Sequence, residues 1–240
     1  MIDLHTHILP GIDDGPESVE TALQITEALA GQNVRTAVCT PHFDPAVTAL
    51  QDFCAKRKEA MRLMNTSRIL LLSGSETMLH PYLFHYPDIS SLCIENTRYI
   101  LIELPYAKRW DEEVYAGLNK LIRFYNLIPI IAHIERYPAV IRNVKPIKEL
   151  IKLGCLLQLN TQSLLIGKYR HWTFKYIKRG FIDVLASDCH NLDTRPPVIK
   201  EAYDRVAMKL GREYEERLMH NAEAVVNGIE LREEAVYIIQ

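Results

Sequence analysis

Val34-Arg-Thr-Ala-Val-Cys-Thr40 is a short, β-branched run that stops at Pro41, and the residue after the proline is His42. A run of that length and composition, closed by a residue that cannot continue a hydrogen-bonded ladder, reads as a strand. Six more runs of the same kind follow the chain: Ile2–Leu4, Ile69–Ser73, Tyr99–Leu104, Ile128–Ala132, Cys155–Leu159 and Ile182–Ala186. Helical patterns lie between them over Ser18–Ala30, Thr48–Met64, Asp111–Tyr125, Pro146–Leu153, Trp172–Arg179 and Ile199–Leu210. The first has apolar residues at 19, 22, 23, 25, 28 and 29, with Ser18 placed to cap it. Strands alternating with helices imply βαβ units and a parallel sheet. Strands apolar on both faces imply a sheet covered by helices or closed into a barrel. The segment Asn221–Gln240 reads as a terminal helix and a last strand at Ala235–Ile239.

The composition sets bounds. The 240 residues, 48% hydrophobic and 24% charged, suit one α/β domain spanning residues 1–240, with a full core and no disordered segment. A formal net charge of -2 and the lack of any dense basic run argue against nucleic acid as a partner. The N-terminus enters a strand with no charged segment ahead of a long apolar one, so no signal peptide is expected, and no apolar stretch is long enough for stable membrane insertion. Five cysteines without CxxC spacing point to reduced thiols and a cytoplasmic protein.

Polar residues fall at the ends of these strands. His5 and His7 close the first strand and, two apart, point the same way on an extended chain. His42 follows the second strand, Glu76 the third, Glu103 closes the fourth, His133 the fifth, and Asp188 and His190 follow the seventh. Asp14 sits in the first loop, within Asp13-Asp-Gly15. A barrel of parallel strands carries all of these to its C-terminal face, where barrel enzymes keep their chemistry. One His or Glu at a strand end is ordinarily a plain polar residue, but this many charges on one face need a compensating cation. Imidazoles and carboxylates without a placed thiolate suit Mn, Zn or Fe. Nine ligands exceed one ion, so two or three ions with bridging carboxylates are expected. Clustered ions clamp a phosphoryl group and acidify a water, so the expected reaction is hydrolysis, of a phosphate ester ahead of an amide. His80, His85, His171 and His220 belong to no strand end and read as loop or surface residues.

Phosphate also wants cations. Arg136 and Arg195 lie in the loops leaving the fifth and seventh strands, and an arginine fork suits phosphate oxygens. The competing reading is a loop salt bridge with Glu135 or Asp193. Cys189 and Arg195 also make C-x5-R, the spacing of cysteine-dependent phosphatases. The intervening His190-Asn-Leu-Asp-Thr194 has no glycine, and Pro196 follows the arginine, so a cysteine nucleophile is not expected.

The set His5-Thr-His7, Asp13-Asp-Gly15, Thr40-Pro-His42, Gly74-Ser-Glu76, Glu103-Leu-Pro105, Ala132-His-Ile-Glu-Arg-Tyr137 and Ser187-Asp-Cys-His-Asn191 resembles the polymerase-and-histidinol-phosphatase (PHP) superfamily. Within it the chain is similar to the manganese-dependent protein-tyrosine phosphatases of bacterial capsule and exopolysaccharide operons, from residue 1 to about residue 230. The resemblance implies a distorted (β/α)7 barrel. It implies one ion on His5, His7, Glu76 and Asp188, a second on Glu76, Glu103 and His133, and a third on Asp14, His42 and His190. Arg136 and Arg195 would hold phosphate, by a metal-bound hydroxide mechanism. The implied substrate is the phosphotyrosine tail of a bacterial tyrosine kinase controlling polysaccharide export. The loop Thr77-Met-Leu-His-Pro-Tyr82, Ile134 and Cys189 depart from the family pattern without touching an implied ligand. A small-molecule phosphoesterase, such as a histidinol-phosphate phosphatase, is the alternative. A non-catalytic metal-binding scaffold is a weaker one, because every ligand position is filled.

Overall fold

In the computed structural model the described residues are 1–64, 68–141 and 143–232, with 168–171 described by their backbone alone. The strands are β1 (Ile2–Thr6), β2 (Thr36–Cys39), β3 (His42–Phe43), β4 (Leu70–Ser73), β5 (Glu76–Met78), β6 (Tyr99–Glu103), β7 (Ile128–Ile131), β8 (Leu156–Asn160) and β9 (Val184–Ala186). Every pairing is parallel. The predicted second and third strands match β2 and β4, and each is followed past its predicted end by a short further strand, β3 and β5, giving a sheet β1-β2-β4 and a sheet β3-β5-β6-β7-β8-β9. Pro41, between β2 and β3, has no N–H to donate to a ladder. Gly74, between β4 and β5, passes so close to β2 that a Cβ there would stand 2.9 Å from Val38 Cγ1.

The two outer edges meet. Thr6 bridges Cys189 in parallel, the His7 N–H donates to Cys189 O (2.9 Å) and the Asp188 N–H to His5 O (2.9 Å). The result is a distorted (β/α)7 barrel, seven strand units around, with its ladder interrupted where two of them kink.

Strand alternation divides the apolar residues into two cores. Leu4, Val38, Tyr99, Leu101, Ile130, Leu156 and Val184 fill the barrel interior. Their neighbours Cys39, Ile100, Ile102, Ile131, Leu157 and Leu185 join the larger core under the helices. Those helices are α1 (Val19–Gly31), α2 (Leu50–Leu63), α3 (Glu112–Arg123), α4 (Lys145–Leu153), the short α5 (Gln162–Leu165), α6 (Gly167–Lys178), α7 (Lys200–Leu210) and α8 (Arg212–Val226). Ser18 caps α1 by accepting from the Thr21 N–H, and Asp111 caps α3 by accepting from that of Val114. The last helix begins earlier than its sequence pattern predicted. Gly211, at φ +120°, breaks the chain after α7 and lets α8 start at once. Ala222 and Val225 of α8 pack into the interior core, and the Tyr99 hydroxyl donates to Ile229 O (2.7 Å). Residues 222–231 thus pack against the N-terminal end of the barrel. The predicted strand at Ala235–Ile239 lies outside the described residues. No described helix is long and apolar enough to cross a membrane.

Candidate metal centre

The barrel brings all nine predicted donors to one end. His5 and His7 project together from the end of β1, with their Nε2 atoms 3.0 Å apart. Glu76, the first residue of β5, places Oε2 3.2 Å from His5 Nε2 and 3.1 Å from His7 Nε2. Asp188 Oδ1 comes within 3.4 and 3.5 Å of the same two atoms. These four residues are buried, and their ligand atoms form one of three groups, among the described residues, compact enough to surround an ion. A second group is His7, Asp14, His42 and His190, in which Asp14 Oδ1 lies 3.0 Å from His190 Nε2 and 3.4 Å from His42 Nε2. The third is His42, Glu76 and Glu103. His133, which the family pattern puts with Glu76 and Glu103, stands beside both, with Nε2 2.7 Å from Glu76 Oε1 and 3.7 Å from Glu103 Oε1.

Two of these residues adopt a backbone that only glycine accepts readily. His133 has φ +30° and Asp188 φ +54°. Surrounding bonds hold them there: the His133 N–H donates to Gln158 Oε1 and the Asp188 N–H to His5 O. Left-handed residues of this kind gather at functional sites, where the rest of the fold supports the strain.

The hydrogen bonds show that the pocket suits cations. His5 Nδ1 faces Gln158 Oε1 at 3.2 Å and His7 Nδ1 faces Asp13 Oδ2 at 2.6 Å. Both oxygens accept, so each Nδ1 carries a hydrogen, and a ring in its neutral form turns its Nε2 lone pair inward. Two lone pairs then face one another beside two carboxylates. Without a cation the only relief is a proton. Burial alone would lower the His7 pKa, yet the Asp13 and Glu76 hydrogen bonds and charges carry it up to about 10. Burial likewise works against ionised Glu76 and Asp188, but His5 and His133 hold Glu76, and His5 and Arg136 hold Asp188, below the usual carboxylate range. His190 goes the other way: burial first, then the His7 charge, pushes it down to about 4. Its Nε2 is near Asp14 but out of line for a hydrogen bond, which leaves a neutral lone pair available for a metal.

The arginines flank this cluster. Arg136 Nη2 is 2.7 Å from Asp188 Oδ2; Arg195 Nη2 is 2.8 Å from Asp188 Oδ1, and its Nη1 is 3.3 Å from Asp14 Oδ2. They remain 40% and 28% exposed, at the mouth of the site. Neither forms the alternative pair with Glu135 or Asp193 among the described residues. Glu135 is buried and accepts from the Ser163 hydroxyl instead. Cys189 is fully buried in the outer core, and burial together with the Asp3 charge pushes its thiol well above the ordinary range. A thiolate nucleophile needs positive, partly open surroundings. The C-x5-R spacing therefore describes no phosphate loop here. His80 accepts from the Tyr82 N–H, while His85 and His220 are exposed and apart from the site.

Sequence reasoning missed three participants. Asp13 orients His7, and Gln158 and Asn160 of β8 reach His5 and Asp188. The signal for the last two was present: amides at alternate positions of an otherwise leucine strand.

The model for the capsular polysaccharide synthesis family, CpsB/CapC, matches residues 1–227. The chain belongs to that family. Tyrosine-protein phosphatase CpsB of Streptococcus agalactiae serotype V is 30% identical over 242 residues, spanning 94% of this chain and 98% of that protein. The Streptococcus pneumoniae CpsB is 33% identical over 228 residues, spanning 88% and 91%. A chain from the crystal structures of YwqE from Bacillus subtilis and CpsB from Streptococcus pneumoniae, described as metal-dependent tyrosine phosphatases, superposes with a TM-score of 0.81 at 24% identity over all of both chains. Histidinol phosphate phosphatase from Lactococcus lactis shares the fold at a TM-score of 0.52 and 13% identity, over 89% of this chain and 94% of that one.

Proposed function

We propose that this CpsB/CapC family member is a metal-dependent protein-tyrosine phosphatase, with His5, His7, Asp14, His42, Glu76, Glu103, His133, Asp188 and His190 as the ligands of two or three ions. The observation that carries the reading is the gathering of nine donors, from six strand ends, into one cluster that is buried at His5, His7, Glu76 and Asp188, opens outward at Asp14 and His42, and lies beside two arginines. The family's relatives named tyrosine-protein phosphatases give the reaction class. Manganese is the proposed ion, with zinc or iron compatible with the same ligands.

Bound ions supply an acidified water and withdraw charge from the phosphoryl group. The chain's own residues do the rest. Arg136 and Arg195 offer planar donors to phosphoryl oxygens, giving up part of their hold on Asp188 and Asp14 as they do so. Asp13 and Gln158 keep His7 and His5 turned inward. A protein substrate fits the surroundings better than a small polar one. Val47, Tyr82, Tyr106, Ile166 and Leu192 are exposed on loops that leave the C-terminal strand ends, around the mouth. Apolar residues at a rim suit contacts with a polypeptide. The proposed partner is the phosphorylated tail of a cytoplasmic tyrosine kinase governing capsule or exopolysaccharide synthesis.

The test is reconstitution of chelator-stripped protein with Mn, Zn or Fe. A phosphotyrosine peptide and histidinol phosphate are then compared at equal concentration. The peptide is expected to turn over and histidinol phosphate to lag far behind. Turnover of histidinol phosphate alone would replace this reading with the small-molecule one, and inertness toward both would favour a scaffold. His5→Ala and Glu103→Ala are each expected to lose bound metal and activity together.

A further inference from the structure

Strand β8 reads Leu156-Leu-Gln-Leu-Asn160 and is buried along its whole length. Leu156 packs in the barrel interior, and Leu157 and Leu159 pack in the outer core, so Gln158 and Asn160 share the interior face. Amides buried in such a strand are unfavourable unless their hydrogen bonds are made. Here they are made, and they lead to the proposed ligands.

Gln158 Oε1 accepts from the backbone N–H of His133 at 2.7 Å. A backbone N–H can only donate, so it decides which end of the amide faces it. His5 Nδ1, 3.2 Å from the same oxygen, must also donate. Gln158 Nε2 then donates to Asn160 Oδ1 (2.8 Å), and Asn160 Nδ2 donates to Asp188 Oδ2 (2.8 Å). One backbone amide thus sets the direction of three further bonds. We infer that Gln158 and Asn160 are positioning residues for the ion held by His5, His7, Glu76 and Asp188, acting as a directed amide relay that fixes two of its ligands. Gln158 selects the His5 tautomer whose Nε2 is free to bind metal. Asn160, with Arg136, holds Asp188 by Oδ2, while Oδ1, which also accepts from Arg195, is turned toward His5 Nε2, 3.4 Å away. Among the described residues the two amide side chains bond to no side chain of Asp14, His42, His190, Glu103 or His133, meeting His133 only at its backbone N–H, so the relay bears chiefly on the ion of His5 and Asp188.

This inference rests on the metal-site reading above, and the experiment separates the two. The full-length chain and its Gln158→Met and Asn160→Leu variants, all stripped of metal, are titrated with Mn2+ against a chromophoric chelator. Bound ions are counted by elemental analysis, and thermal unfolding in chelator reports the fold. Each variant is expected to bind one ion about 10- to 100-fold more weakly, the usual effect of removing a partner of a metal ligand. The remaining ions should bind as in the parent. In the metal-free state, 15N NMR should find the hydrogen on Nδ1 of His5 in the parent and a mixture of tautomers in Gln158→Met. A folded variant with the parent's affinity and tautomer would overturn the inference. So would the collapse of both variants without metal, which would make the amides structural only. A parent chain that takes up no metal would instead sink the metal-site reading itself.

Discussion

Asp188 and Cys189 are neighbours in sequence and opposites in environment. The aspartate turns into the barrel mouth among two histidines and two arginines, while the cysteine turns out into apolar packing. Cys189→Ser is accordingly expected to keep turnover and metal content, since the thiol meets no substrate. Loss of turnover with metals still bound would defeat the metal-dependent mechanism. The arginines behave differently. Hydrogen bonds between charged groups contribute about 1.5–3 kcal/mol. Arg136→Ala should therefore keep its full complement of ions at saturating metal and there lose roughly 10- to 100-fold in kcat/KM on a phosphopeptide. A fully active variant would remove Arg136 from the site. Arg195→Ala should show the same pattern, because its guanidinium also pairs with Asp188 at the mouth, reaching Asp14 besides.

Each functional side chain is placed by a break in a regular element. Pro41 and Gly74 follow the ends of β2 and β4, and His42 and Glu76 then begin new segments, paired to one another in register. The Asp13-Asp-Gly15 loop is the tightest of these breaks. Asp13 accepts from the Gly15 N–H (3.0 Å) and the His42 N–H (3.1 Å) as well as from His7. A Cβ on Gly15 would stand 2.1 Å from the His7 carbonyl oxygen, so this loop closes only because residue 15 has none. Gly15→Ala must push the loop away from β1, taking Asp13 off His7 and Asp14 off His190. Metal affinity is expected to fall about tenfold or more, as for other losses of a ligand's partner. Equilibrium metal titration checks this, with unchanged affinity excluding the loop from the site.

The whole barrel closes around a concentration of like charge. Glu76 and Asp188 are buried, and Asp14 and Glu103 stand beside them, so the native state should gain from any cation that the unfolded chain cannot gather. At a hundredfold excess over Kd, one such ion adds about 2.7 kcal/mol. For a domain of this size that is about 5–10 °C in Tm. Calorimetry of the stripped and Mn-loaded protein measures it, and identical midpoints would contradict a metal bound to the folded state.

Much of this architecture is written locally. Seven short apolar runs, their Gly and Pro stops, and the helices between them are patterns of near neighbours, so they are readable one segment at a time. So is the placing of a His, Asp or Glu just past each run, because a parallel barrel carries every strand end to the same face. Folding in three dimensions decided what no local pattern holds. It added a short paired strand beyond the end of two predicted ones, set His133 in hydrogen-bond contact with Glu76 and buried Cys189 away from Arg195. It recruited Asp13, Gln158 and Asn160 to orient the donors. The reason is reach: these contacts join residues up to 153 positions apart, as between His5 and Gln158, and a hydrogen bond is specified by an angle and a few ångströms rather than by spacing along the chain.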